Sequence, residues 1–284
     1  VLCLLCLCLD AAWIPEVAAQ RGRRGGDYDL RPNLTRDIFP GNTFTFCRVQ
    51  YTSVSGGDWD WGRRGGRRSG KWRTDYPASD LNFSQRLSEL TTVDVNRDEN
   101  GNIEHAIVRL TDEELRNYPF IYMLEVAELA FDEAERDALR NYLLRGGFLM
   151  VDDFWGDDAW DNWVYEIGHV LPPEEYAIVD IPLSHPLFHI VFDIKEVPQV
   201  PSVNQYRRWA QTGDTYEGQW TTDSDPHCRG IFDKKGRLMV VMMHNTDLGD
   251  GWEREGEHEG YFREFSVKRA YPMGINIVVY AMTH

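Results

Sequence analysis

Residues 119–156 read PFIYMLEVAELAFDEAERDALRNYLLRGGFLMVDDFWG, and they decide the fold. Pro119 to Leu124 is a continuous apolar run, the pattern of a strand buried on both faces. Asp132 with Glu135 three residues on spells a capping box. Ala134, Ala138, Leu139, Tyr142 and Leu143 then form one apolar stripe at helical spacing. Gly146 supplies the left-handed residue that ends such a helix. Phe148 to Val151 is a second fully apolar run. Strand, helix and strand at this length make one right-handed crossover unit.

Working outward, Thr43 to Tyr51 alternates and is rich in β-formers, which predicts a first strand. Phe83, Leu87 and Leu90 predict an amphipathic helix over 79–90. Ile107 to Leu110 is a short apolar run, and Thr111 with Glu114 reads as a second capping box opening a short helix. A helix from Asp157 would bury Trp160, Trp163, Val164 and Ile167. Arg237 to Met243 reads as another buried strand. Ile275 to Met282 reads as a terminal helix, though its β-branched residues also suit a strand. The pattern predicts a three-layer α/β fold around a mainly parallel sheet, with residues 43–284 as a single domain.

Before that domain, Val1 to Leu9 is purely apolar, and Val17-Ala18-Ala19 offers small residues for cleavage, so residues 1–19 read as a signal peptide. Residues 20–42 read as a flexible linker. The expected location is extracytoplasmic, periplasmic or secreted, and no later run is long and apolar enough for a transmembrane helix in the mature chain. Three of the five cysteines fall in the leader, leaving Cys47 and Cys228 as either a disulfide or two buried thiols. A second Gly/Arg run, Gly62 to Lys71, reads as a solvated loop. Its spacing mimics a phosphate loop, but Trp72 stands where Ser or Thr should meet magnesium. The formal net charge of −16 excludes nucleic acid as the main partner, because phosphate binding needs a basic footprint, and disfavours anionic membranes.

Ligands of open parallel sheets gather beyond the carboxyl ends of the strands. There the first central strand delivers Glu125, the second Asp152 and Asp153, and the late strand His244, Asn245 and Asp247. Asp152, Asp153, Glu125 and His244 are the candidate catalytic residues. Asp152, Asp153, Trp155, Asn245, Asp247 and Trp252 are the candidate ligand-binding set. Acids at this turn repel phosphate and favour a cation or a neutral polyol. Asn245, Asp247, Asp250 and Glu253 offer oxygen ligands in a Gly-punctuated loop, which is calcium-like chemistry without EF-hand spacing. No cofactor is expected, and the one that this loop could take is a divalent cation such as calcium. Trp155, Trp160, Trp163 and Trp252 near acids suit carbohydrate, and paired carboxylates can hydrolyse a glycosidic bond. No Gly-x-Ser-x-Gly elbow occurs. His185 and His189 are four apart, but Pro186 opposes a zinc-binding helix there; Ser184-His185-Pro186 reads as a structured turn.

Several ordered motifs are shared with a known family: Arg48-Val49-Gln50-Tyr51, Trp72 to Pro77, Tyr118 to Tyr122, Leu139 to Leu143, Gly146 to Gly156, Ser184 to Phe188, Asn245 to Gly249 with Trp252-Glu253, and Gly274-Ile275-Asn276 with Tyr280-Ala281. On these the chain resembles the bacterial domain of unknown function 4159 family over residues 43–284. The resemblance implies a flavodoxin-like sheet of the class I glutamine amidotransferase type. It also implies an exported or membrane-tethered setting. In true amidotransferases a cysteine follows the equivalent strand; here Asp152 and Asp153 stand at that turn, which argues against glutaminase activity. The expected function is a non-catalytic extracytoplasmic module that binds a ligand or partner, such as carbohydrate or a cell-envelope protein, through the acidic strand-end site. The alternative is a carbohydrate or cell-envelope hydrolase, metal-assisted or not.

Overall fold

The computed structural model describes residues 43–53, 70–218 and 221–284. The expected signal peptide and linker, and the Gly/Arg run up to Ser69, lie outside the described residues. In chain order the main elements are β1 (Phe46–Val49), α1 (Ala78–Leu90), β2 (His105–Val108), β3 (Phe120–Leu124), α2 (Glu133–Leu144), β4 (Phe148–Phe154) and α3 (Gly156–Val170). There follow β5 (Ile178–Asp180), α4 (Tyr206–Thr212), β6 (His227–Phe232), β7 (Leu238–His244) and α5 (Leu248–Glu253). The chain ends in α6 (Glu259–Tyr261), a π-helical stretch Phe262–Ala270, and α7 (Tyr271–Thr283).

The strands form one seven-stranded mixed sheet in the order β2-β1-β3-β4-β7-β6-β5. β2, β1, β3, β4 and β7 run parallel, whereas β6 is antiparallel to both β7 and β5. Because successive strand residues point to opposite faces, two cores result. Ile121, Met123, Leu149, Val151, Val240 and Met242 pack with α2 and α3. Phe120, Tyr122, Leu124, Phe148, Met150, Val241 and Met243 pack with α1, α5 and α7. This double burial is why β3 and β4 read as unbroken apolar runs rather than as alternation.

Local signals explain the central crossover. Glu135 N donates to Asp132 Oδ1 (2.8 Å) and Asp132 N to Glu135 Oε2 (3.0 Å), which closes the capping box. Gly146 takes φ +114°, and Gly147 N donates to the Tyr142 carbonyl at 3.0 Å, which turns the chain into β4.

Four readings need correction. The Thr111 box does not form: Asp112 precedes a 3-10 turn over Glu113–Asn117, and Asp112 Oδ2 instead accepts from Arg109 N. Val164 is 37% exposed, because the buried stripe of α3 runs through Ala159, Trp163, Ile167 and Val170. β4 does not stop at Val151 but continues through both aspartates to Phe154, with an irregularity between Val151 and Phe154. β5 and β6 went unread, because an antiparallel edge pair containing His, Arg and Asp lacks the apolar runs of the parallel strands. Cys47 and Cys228 are buried free thiols in the two different cores. The terminal segment is helix α7, and Asn276 on it accepts from Val191 N and Phe192 N. No helix among the described residues is long and apolar enough to cross a membrane.

Candidate functional site

β1 begins the site with a buried cation. Arg48 has no exposure, and its guanidinium is fully engaged. Nη2 lies 2.5 Å from Asp80 Oδ1 and 2.9 Å from Ser79 Oγ, while Nη1 donates to the carbonyls of Trp72 (3.0 Å) and Thr74 (2.8 Å). These bonds tie the segment before α1 to the end of β1. That segment carries Asp75, at φ +62°.

The four non-glycine residues with positive φ among the described residues are Asp75, Glu125, Asp153 and Asn245, and all four lie at this edge. Glu125 follows β3, Asp153 ends β4 and Asn245 follows β7. Their backbones interlock: Glu125 N donates to the Asp153 carbonyl (3.1 Å) and Asn245 N to the Phe154 carbonyl (3.0 Å). Such conformations cost about 1–3 kcal/mol each and gather at functional sites.

The side chains converge more selectively. One carboxylate oxygen each from Asp75, Asp153 and Asp247 all lie within 4.8 Å of one another, and so do one each from Asp75, Asp250 and Glu253. Asp247 caps α5, its Oδ1 accepting from Asp250 N at 2.7 Å. Asp250 and Glu253 follow at intervals of three, so α5 presents three acids towards Asp75. Asp152 sits behind them with no exposure; Oδ2 accepts from Tyr122 Oη (3.1 Å) and Gly249 N (3.0 Å), and Oδ1 has no partner. Asp75 Oδ2 is likewise sealed from solvent with no donor. Gly249 is required between them: a Cβ there would stand 2.7 Å from Asp75 Oδ2 and 3.0 Å from Tyr122 Oη.

Among the described residues, two cations pair with these acids. Arg254 Nε lies 3.2 Å from Asp250 Oδ1 and 2.7 Å from Glu253 Oε2. Lys71 Nζ lies 2.8 Å from Glu125 Oε1. Burial pushes the Asp152 carboxyl up to about 7. Burial, then the charges of Glu125, Asp75 and Asp152, holds Asp153 well above the usual carboxylate range. Burial and then Asp153, Asp75 and Asp250 do the same to Asp247. Asp75 is raised by burial and then by Asp250 and Glu253. Left alone, this basin retains protons; a hard cation with oxygen preference would displace them.

The remaining expected residues divide. Trp155 is half-buried beside the basin, its Nε1 donating to Asp153 Oδ1 at 3.2 Å. Glu125 stands at the rim, paired to Lys71. The Asn245 carboxamide is engaged in holding the backbone: Oδ1 accepts from Gly156 N (2.8 Å), and Nδ2 donates to the carbonyls of Asp223 (3.0 Å) and Asp225 (2.9 Å). Trp252 cannot stack on a ligand. It has no exposure and packs against Phe83 at a centroid distance of 4.6 Å. Trp163 is equally buried. His244 points to the α2/α3 face, stacked on Phe154 at 5.0 Å and beside Arg229, and burial lowers it to about 4, a poor base at neutral pH. His185 caps a 3-10 turn over Pro186–Phe188 and His189 pairs with Asp193, so the two histidines do not converge.

Sequence reasoning missed Asp75 as a site residue. The available signal was its place in the shared Trp72 to Pro77 motif, where an acid stands in a loop that Arg48 holds rigid.

A family model described as a domain of unknown function (DUF4159) matches residues 45–282. The chain belongs to this family. The match covers β1 through nearly all of α7, so Asp75 and the α5 acids lie within the DUF4159 region. No protein of curated function matches the chain.

Proposed function

We propose that this DUF4159 chain is an extracytoplasmic, non-catalytic binding module whose carboxylate basin takes a divalent cation, with calcium as the fitting ion. The observation that carries this reading is the Asp75, Asp153 and Asp247 trio. Oxygens within 4.8 Å of one another are spaced as ligands of a single ion would be, close to what the 2.3–2.6 Å typical of calcium–oxygen bonds requires. Asp75 Oδ2 adds weight, because a sealed carboxylate oxygen without a donor is costly unless protonated or bound by a cation. An extracytoplasmic setting suits such a site, since extracellular calcium modules work at modest affinity. The apolar leader supports that location, and cell fractionation of the tagged full chain tests it: recovery in the cytosol would sink it.

The non-catalytic part of the reading rests on what the chain lacks in reactive form. Burial pushes the two thiols among the described residues, Cys47 and Cys228, above their ordinary value, which disfavours the thiolate. On the resemblance to class I glutamine amidotransferases, Asp152 and Asp153, near the end of strand β4, stand where such an enzyme would carry its cysteine. The order of the parallel strands, β2-β1-β3-β4-β7, supports the finer flavodoxin-like assignment of the sheet. Calorimetric titration of chelator-treated protein with calcium chloride is the direct test. Saturable binding is expected, with a raised melting temperature. Absence of binding at millimolar calcium, with melting unchanged by chelator, refutes the cation reading.

A further inference from the structure

We infer that the basin is built for two divalent cations that share Asp75, rather than for one. This rests on the cation reading above and extends it to stoichiometry. The two trios have one member in common: Asp75 lies with Asp153 and Asp247 in one, and with Asp250 and Glu253 in the other. A single ion at calcium distances is served by one trio, which leaves the other trio unneutralised. Carboxylates that bridge two metals are the usual device of paired sites, where the ions stand about 3.5–4 Å apart.

Asp75 suits the bridging role. Its backbone is fixed by the Arg48 bonds to the carbonyls on either side of Arg73, at Trp72 and Thr74. Among the described residues no nitrogen or hydroxyl donor reaches its Oδ2, which is sealed and faces Gly249, at the start of α5 between Asp247 and Asp250, and its carboxyl adjoins that of Glu253. Asp153 and Asp247 are 7% and 6% exposed, so their charges have little water to rely on. Asp152, wholly buried immediately behind, also keeps Oδ1 without a partner.

The two trios contain five carboxylates, Asp75, Asp153, Asp247, Asp250 and Glu253, with Asp152 directly behind them. The guanidinium of Arg254 is shared among Asp250, Glu253 and Glu257, so it relieves this cluster only in part.

Equilibrium dialysis of the full chain against manganese chloride, read by elemental analysis and electron paramagnetic resonance, decides the matter. Two manganese ions per chain with an exchange-coupled spectrum are expected. E253Q should reduce the stoichiometry to one and abolish the coupling, and D75N should weaken both ions more than tenfold. One ion per wild-type chain overturns the shared-Asp75 centre but leaves the single-cation reading standing. No ion at all overturns both. The wild-type stoichiometry decides even if a variant fails to fold, and circular dichroism identifies that failure.

Discussion

Asp75 and Asp247 bring carboxylate oxygens within 4.8 Å of each other at the carboxyl edge of the sheet, with an oxygen of Asp153 inside the same limit of both. Among the described residues neither forms a salt bridge, and Arg48 only partly offsets the burial that raises Asp75. Asp75 is positioned through its backbone by Arg48, and Asp247 by its role as the cap of α5. The fold therefore imposes a repulsion that local chemistry does not relieve. Stability and cation occupancy should be coupled through it.

The first consequence concerns pH. A carboxyl whose folded pKa is raised binds its proton more tightly in the folded state. Its stabilising contribution is full below the unfolded value of about 4 and is lost as pH rises through the folded value. For Asp152 that value is about 7, and Asp75, Asp153 and Asp247 shift in the same direction. His244 works oppositely: its folded value, lowered to about 4, costs stability only as pH falls below the ordinary histidine value of about 6.5. Above about pH 6.5 the carboxylates act alone. In chelator, the melting temperature should fall between about pH 6.5 and 8, and saturating calcium should flatten the fall. A flat profile in chelator would count against a strained basin.

Removing one acid should separate binding from stability. Asp153 is at φ +52°, a conformation Asn tolerates well, so Asp153→Asn keeps the backbone. It deletes a buried charge that Asp75, Asp152 and Glu125 repel. The chelated variant should be more stable by about 1–2 kcal/mol, an effect on the scale of one pKa unit. Its calcium affinity should fall about tenfold or more, which is about 1.4 kcal/mol. Urea melts and calorimetry measure the two effects, and equal losses in both would mean that Asp153 is merely structural.

How much of this was written in the sequence depends on range. The β3–α2–β4 unit was readable because its signals are local: the Asp132–Glu135 box, the Gly146 turn, and apolar runs that double burial enforces. That β3, β4 and β7 are buried strands was legible in their apolar runs; that they are neighbours in the sheet was not. The orientation of side chains beyond the strand ends did not follow. Asn245 and Asp247 are two residues apart, yet one pins the 223–225 loop while the other faces Asp75. His244 lies on the far face because its strand register, set by pairing with β4, sends it to Phe154. Trp252 looked like a ligand platform because acids surround it in sequence, but α5 turns its ring into the Phe46, Phe83 and Tyr122 cluster. Asp75 depends on Arg48, a contact across the loop and sheet that no periodicity encodes.

That contact is itself testable. Arg48 and Asp80 are both fully buried, and Arg48 also satisfies two carbonyls. Replacing one partner of a buried pair strands the other, at about 3–5 kcal/mol. Arg48→Met should lose that much in urea denaturation and should loosen the Asp75 segment, seen as faster amide exchange over residues 72–80. Arg48→Met with Asp80→Leu should recover part of the loss, because no charge is then left stranded. A cost below about 1 kcal/mol for Arg48→Met would show that the pair does not anchor the site.

Gly249→Ala tests the basin from its floor. On helix propensity alone, alanine should help by up to about 1 kcal/mol, since Gly249 lies within α5 and carries no positive φ. The added Cβ, however, would meet Asp75 Oδ2 at 2.7 Å and Tyr122 Oη at 3.0 Å. Both neighbours are constrained, Asp75 by the Arg48 bonds to its loop and Tyr122 by its bond to Asp152. Overpacking of this kind costs about 1–3 kcal/mol, so the clash should outweigh the propensity gain. The loss should persist in chelator, and calcium affinity should drop with it, because Asp75 can relieve the contact only by leaving its place opposite Asp247. A stabilised variant with unchanged calcium binding would show that the Asp75 carboxylate is free to move, and that the closeness of the two acids is not enforced by the fold.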